Sequence, residues 1–239
     1  MSTRSSLAAL AAVLLALALP LEGQSTRIRP AVLGQPLPDI SLPSLRGGDI
    51  AISGLKGKNV MLVFPRGLAG PDHWCHVCNY QYAELVDLER NRKIREEHDL
   101  EILFVLPYAR EMVEEWVASF PRQLKEITEW KNPPDPDKLD ERGRDRMERV
   151  REWFPRDFSY EEKGVPSPFP ILIDAERALT GPLGIFTTEW SGSSIEQNIP
   201  TILILDKQGF VQFKYMSQNT FDRPSPEYLI RFFRCMMEE

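Results

Sequence analysis

The run Asn59-Val60-Met61-Leu62-Val63-Phe64 constrains this chain more than any other stretch, because a strand built from it is apolar on both faces. Such a strand has to be covered from both sides, so it belongs in the middle of a sheet with layers above and below. A second run of the same kind, Glu101-Ile102-Leu103-Phe104-Val105-Leu106-Pro107, follows after a segment at 79–95. There Tyr82, Leu85, Val86 and Leu88 recur near the helical period. Strand, helix and strand in that order predict a parallel pair joined by a right-handed crossover, and hence an α/β fold.

The rest of the chain extends this pattern. Met112, Val113, Trp116 and Val117 begin another amphipathic helix, which Pro121 should break or kink. Pro170-Ile171-Leu172-Ile173 reads as a strand and 176–183 as a helix. Thr201 to Leu205, the turn Asp206-Lys207-Gln208-Gly209 and the run Phe210 to Tyr215 predict an antiparallel hairpin. A last helix at 227–237 puts Leu229, Phe233 and Met236 on one face, with Cys235 off it. Ahead of the first buried strand, the prolines of 25–43 favour extended chain, and Arg46-Gly47-Gly48-Asp49 a turn, so a short β-ribbon is expected there.

Between the first buried strand and its helix lies Trp74-Cys75-His76-Val77-Cys78. The stretch from Pro65 to His73 reads as a loop, since its glycines and prolines oppose regular structure. A helix starting near Cys75 aims free N–H groups and the positive end of its dipole at that sulfur, favouring thiolate. His76, when protonated, would add to the effect. Cys78, one turn on, is placed to attack a mixed disulfide on Cys75. Three other readings exist. As a structural staple the pair closes too short a loop to remove much chain entropy. A metal site would need His73, Cys75, His76 and Cys78 to converge from one short run. Haem attachment requires a histidine after Cys78, where Asn79 stands. The expected chemistry is therefore thiol redox, with Cys75 and Cys78 catalytic, no metal and no cofactor.

Composition sets the outer limits. The 239 residues carry a net charge of −6 and are 42% hydrophobic, which suits one globular domain and argues against a nucleic-acid surface. Three cysteines are too few for a disulfide scaffold, and Cys235 has no evident mate. The start of the chain, with Arg4, an Ala- and Leu-rich run at 7–21 and then Glu22-Gly23-Gln24, reads as an export signal at 1–23. The expected domain then covers 24–239, and the expected location is secreted or periplasmic, with membrane attachment through 7–21 only if the signal stays uncleaved. The segment 131–169, opened by Asn132-Pro133-Pro134-Asp135-Pro136 and closed by Pro166, Pro168 and Pro170, interrupts the alternation as an insert. Its charged centre, at 138–154, predicts a solvated surface helix or a partner-binding arm.

Taken together these residues resemble the thioredoxin superfamily, in its peroxiredoxin-like branch, the redoxins and the alkyl hydroperoxide reductase/thiol-specific antioxidant group. The resemblance rests on Gly34, Pro38, Asp39 and Leu42, on Arg66, Gly67, Trp74, Cys75, Cys78, Asn79 and Gln81 around the dithiol, and on Phe169 to Asp174 with Gly184-Ile185. It implies a thioredoxin-like fold, a central mixed sheet flanked by helices, here with an N-terminal β-ribbon and a charged helical insert. It also implies a thiol-disulfide oxidoreductase acting on protein or small-molecule thiols and disulfides, with an electron donor or acceptor as partner. Trp74, His76, Ile199 and Pro200 would contact substrate, and the Ile199-Pro200 bond would be cis and face the dithiol. Two departures matter. His76 replaces the proline usual after the first cysteine. Pro71 to Cys78 has the spacing of the peroxiredoxin Pro-x-x-x-Thr-x-x-Cys loop, with Cys75 at the threonine position and no arginine near Pro200. Peroxide reduction through Cys78 is the alternative, and a non-catalytic interaction protein on the same fold is a third.

Overall fold

The computed structural model describes residues 28–158 and 168–236, so the expected export signal lies outside the described residues. The ribbon forms as expected, β1 (Ser41–Pro43) pairing antiparallel with β2 (Asp49–Ala51). β3 (Asn59–Phe64) is buried along its whole length. The stretch after it, expected to be loop, contains a small hairpin of β4 (Leu68–Gly70) and β5 (His73–Trp74). Pro71 and Asp72 are its turn, and Asp72 takes a left-handed φ of 52°, a conformation aspartate tolerates better than most residues. Proline and glycine thus shape regular pairing here instead of preventing it.

Helix α1 (His76–Arg92) stops where Lys93 turns left-handed, and a short α2 (Ile94–Glu97) leads to β6 (Leu100–Leu106). α3 (Arg110–Ala118) and α4 (Phe120–Lys131) are separated at Ser119, with Pro121 in the first turn of α4, where its missing N–H costs nothing. α5 (Glu141–Trp153) is capped by Asp140, whose carboxylate accepts from Gly143 N–H at 2.7 Å. Then come β7 (Ile171–Ile173), the short antiparallel pair β8 (Phe186–Thr187) and β9 (Gln197–Asn198), the hairpin β10 (Thr201–Leu205) and β11 (Val211–Met216), and α6 (Pro226–Met236).

The central sheet is mixed, in the order β11-β10-β3-β6-β7, with β3, β6 and β7 parallel and β10 antiparallel to both its neighbours. Alternation along its strands feeds two cores. Met61, Val63, Ile102, Phe104, Ile202 and Ile204 point into the larger one, under the helices. Val60, Leu62, Phe64, Leu103, Val105, Leu203 and Leu205 point into the other, under the ribbon and the segment around Leu179 and Leu183. That segment is a chain of turns, not the expected helix. The buried Asp174 carboxylate takes the N–H groups of Leu179 and Thr180 and the Thr180 hydroxyl, and Arg177 is left-handed. A side chain that captures local donors in this way competes with helical pairing.

The insert also departs from expectation, because α5 packs on the body. Val150 and Phe154 are buried in the larger core, and the Phe154 ring meets Tyr80 of α1 edge to face at 4.9 Å. Lys131 anchors the chain beyond the helix through Arg156 O and the Asp157 carboxylate, while Arg151 Nε donates to Lys131 O. A stripe of few apolar residues suffices because these bonds hold the segment after it in place.

Candidate active site

The site is built where β3 hands over to α1. After Phe64 the chain turns through Gly67, whose φ is +78° and whose Cα faces the Tyr108 ring. A methyl there would come within 2.4 Å of that ring, so only glycine fits. Tyr108 Oη accepts from Leu68 N–H at 2.9 Å and donates to Glu196 O at 2.9 Å, tying the corner to the segment before β9. Gly67 O accepts from Cys75 N–H at 2.9 Å. Cys75 is the N-cap of α1, its carbonyl accepting from both Cys78 and Asn79.

The two sulfurs lie 2.8 Å apart as free thiols, both buried. They do not share one environment. Cys78 Sγ accepts from the Arg66 backbone N–H at 3.2 Å and has Arg223 Nη2 at 3.9 Å. Cys75 Sγ has the same guanidinium at 4.0 Å, while the nearest backbone donor, Cys78 N–H, bonds the Cys75 carbonyl and acts on the sulfur least of all its neighbours. Burial pushes the Cys78 thiol up, yet the Cys75 thiol, the Arg223 charge and the Arg66 N–H outweigh it and bring it down to about 6. Burial first, then the bond to Cys78 and its negative charge, raise Cys75 well above the ordinary thiol value. The pair therefore holds one proton between pH 6 and the upper titration, with the thiolate on Cys78 and the S–H on Cys75. The sequence expectation had put the thiolate on Cys75. The bond from Cys75, the Arg223 charge and the Arg66 N–H, all acting on the second sulfur, reverse it.

His76 does not supply the positive charge expected of it. Its Nε2 meets Glu126 Oε2 at 2.6 Å and its ring lies 4.4 Å from Trp130. Burial lowers its pKa below the ordinary histidine value despite Glu126, so it is neutral at pH 7. The cation comes from the loop between β11 and α6. Asp222 shapes that loop by accepting from Gln218 N–H at 2.6 Å and Asn219 N–H at 3.2 Å. Arg223 lies across it, donating to Thr220 O and Asn219 O, and its side chain is only 7% exposed. Arg66, also buried, donates from Nε to Gln197 Oε1 at 2.6 Å and stacks over Trp190 at 5.1 Å.

The other expected site residues fall differently. Trp74 is buried, its ring edge-on to Tyr108 at 5.7 Å and its carbonyl accepting from Gln123, so its side chain supports the corner from within. The Ile199-Pro200 bond is trans, as is every peptide bond among the described residues. Its flanking groups already pair in extended chain, Ile199 N–H with Ile185 O and Pro200 O with Ser217 N–H, and without another constraint trans is the lower-energy isomer. The segment reaches the site's frame through its earlier residues, Gln197 on the Arg66 guanidinium and Asn198 N–H on Arg66 O. Arg223 had no signal in the sequence, standing in a polar loop 148 positions from Cys75.

A hollow of about 370 Å³ opens beside the dithiol, lined by Cys75 but not by Cys78. Its far wall comes from α5 and from Thr220 and Phe221. Cys75 is thus the sulfur a ligand meets first, and Cys78 the charged sulfur behind it.

Residues 33–129 match the AhpC/TSA family model. No curated protein matches the chain. Among solved structures, AhpC of Mycobacterium bovis shares 16% identity at a TM-score of 0.54, over 87% of this chain and 94% of that one. A mutant of peroxiredoxin 6 from Arenicola marina gives 13% and 0.54, over 85% and 72%. Peroxidoxin BcpB of Mycobacterium tuberculosis gives 14% and 0.51, over 87% and 99%. At these identities the structures speak for the fold, and the family match falls on the part of the chain that holds both cysteines. The stretch 33–129, with its Cys75-x-x-Cys78 dithiol, is thus similar to the AhpC/TSA family, and the chain shares the fold of the peroxiredoxin structures it matches.

Proposed function

We propose that the protein is a thiol-disulfide oxidoreductase in which Cys75 exchanges with the substrate and Cys78 resolves. The observation that carries this reading is the asymmetry of the dithiol: Cys75 lines the hollow, and Cys78 lies behind it at 2.8 Å with the stronger claim to the negative charge. In the first step the shared proton passes from Cys75 to Cys78. The Cys75 thiolate attacks one sulfur of R–S–S–R′, forming Cys75–S–S–R and releasing R′S⁻. Cys78 then gives its proton to R′S⁻ and attacks Cys75 Sγ, forming the Cys75–Cys78 disulfide and releasing RS⁻. One proton and one negative charge enter and leave. Arg66 N–H and Arg223 favour the second step because they make Cys78 the better thiolate once Cys75 is covalently engaged.

Replacing Cys78 by serine removes the resolving sulfur, so mixed disulfides should accumulate on Cys75 and be visible by mass spectrometry. An absence of such adducts, with turnover intact, would end the two-cysteine scheme. A second reading is favoured by one observation, the thiolate on Cys78 under Arg66 N–H and Arg223. There Cys78–S⁻ attacks ROOH to give Cys78–S–OH and RO⁻, and the Cys75 thiol condenses with the sulfenic acid to give the disulfide and water. Rapid sulfenic acid formation at Cys78 in a Cys75→Ser variant, faster than exchange of the native protein with a disulfide, would put this reading first.

The charged start and apolar run at 7–21 support an exported protein, whose dithiol would then work in an oxidising compartment. Sequencing of the mature N-terminus tests it: processing near Gly23 agrees, and an intact Met1 on cytosolic protein does not.

A further inference from the structure

The hollow beside Cys75 has a chemical character unlike the surface around it. Its walls are largely apolar and aromatic, formed by Trp130, Val150, Trp153, Phe154 and Phe221. Trp153 of α5 and Phe221 of the Arg223 loop stack at 3.8 Å with planes 13° apart, closing one side. In a chain whose net charge is −6, no carboxylate among the described residues lines this space. The charged groups that do are Arg66, Arg146 and Arg149, and the imidazoles of His73 and His76 also line it. Arg66 is spent on Gln197 and the Trp190 carbonyl. Arg146 and Arg149, three residues apart on α5, make no ion pair or hydrogen bond with any described residue. Glu126, the acid bonded to His76, is not part of the lining.

Size narrows the occupant. A volume of about 370 Å³ lies at the lower end of the roughly 300–1,000 Å³ typical of small-molecule sites. Cys75 is 3% exposed, so its sulfur is met from inside the hollow and not on a surface that a folded partner might cover. Apolar walls with a pair of free guanidinium groups match a ligand with an apolar body and one anionic end, and arginine's planar fork fits a carboxylate.

We infer that the hollow is a substrate chamber for a small apolar or aromatic disulfide bearing a carboxylate, with Arg146 and Arg149 holding the carboxylate while Cys75 attacks the S–S bond. The disulfide part of this assignment rests on the exchange reading above, and the carboxylate part does not. The chamber wall is supplied by the insert, which gives α5 a function: it sets which substrates reach the dithiol.

Two probes separate these parts, both in a Cys235→Ser background so that the exposed third thiol does not react. The first compares second-order rates with an anionic aryl disulfide, dithiobis(nitrobenzoate), and a neutral one, dithiodipyridine. The ratio of anionic to neutral rate should fall about tenfold or more in R146Q/R149Q, and R146K/R149K should recover part of it. A ratio within twofold of the native value would overturn the carboxylate site. The second titrates nitrobenzoate and neutral nitrobenzamide calorimetrically into Cys75→Ser/Cys78→Ser, where no thiol chemistry remains. Nitrobenzoate should bind at least about fivefold tighter, and R146Q/R149Q should erase the difference. Equal binding of the two would again overturn the chamber. If the charge preference is found while the native protein fails to exchange with either disulfide, the exchange reading falls and the carboxylate site stands.

Discussion

The corner at Phe64–Cys78 and the wall formed by α5 and the loop before α6 build the same site by opposite means. The corner is local: one strand end, one glycine, one hairpin and one helix start place both sulfurs within a few residues of chain. The wall is assembled from segments about 70 and 145 positions away, and it brings what the corner lacks, a guanidinium beside the sulfurs and a bounded space. The dithiol motif thus provides reacting atoms, while their charge and their access are decided by residues with no place in the motif. Asymmetry between two cysteines cannot be read from a Cys-x-x-Cys spacing when the cation and the backbone donor come from elsewhere.

The strongest way to break that division is to loosen the wall. Phe154→Ala leaves a void in the larger core where the ring met Tyr80, and should destabilise the protein by about 3–5 kcal/mol in urea unfolding. A loss below about 1 kcal/mol would mean that α5 is the detachable arm its charged sequence suggested. The same change should leave the corner's own hydrogen bonds in place.

A sharper test acts on charge alone. The reactive form of Cys78 is the deprotonated one, so alkylation of the dithiol should rise with pH through a midpoint near 6 and level off above about pH 7. Arg223→Gln removes a cation 3.9 Å from Cys78 Sγ, and the midpoint should move up by at least about one pH unit, with a slower reaction at pH 6.5. An unmoved midpoint would leave the bond from Cys75 and the Arg66 N–H as sufficient causes, and the wall would lose its electrostatic part. The smallest effect expected is from Tyr80→Phe. The Tyr80 hydroxyl accepts from Arg156 N–H at 2.6 Å and links α1 to the chain beyond α5, so its loss should cost about 1 kcal/mol without changing the alkylation profile. A shifted profile would show that the two regions are coupled through α1.

The contrast also explains what the sequence made legible. β3, β6, β7 and the β10–β11 hairpin stand where their apolar runs predicted, because strands buried on both faces have a strong local signature. The Pro121 break and the meeting of Cys75 and Cys78 at a helix start were equally plain. The turns at 176–183 were missed because one buried carboxylate, Asp174, outweighs a helical pattern. The packing of α5 was missed because two buried residues in a charged helix are too few to register as a face. His76 was expected to be a cation on the strength of its position, and burial makes it neutral. The trans bond at Pro200 and the role of Gln197 and Asn198 in its place depend on pairings between distant segments, which leave no trace in local composition.

Gly67 and Tyr108 carry a consequence for how this protein can vary. Any side chain at 67 collides with the Tyr108 ring and meets an unfavourable φ as well. Shrinking Tyr108 would make room, but would discard the hydroxyl that holds Leu68 and Glu196. Neither position has a neutral single step away from its present residue, and the paired step passes through an intermediate with a loosened corner. Mutational drift should therefore be frozen at these two positions and free on the outer face of α5, so a library selected only for folding ought to keep Gly67 with Tyr108 while the arginines of the chamber wander.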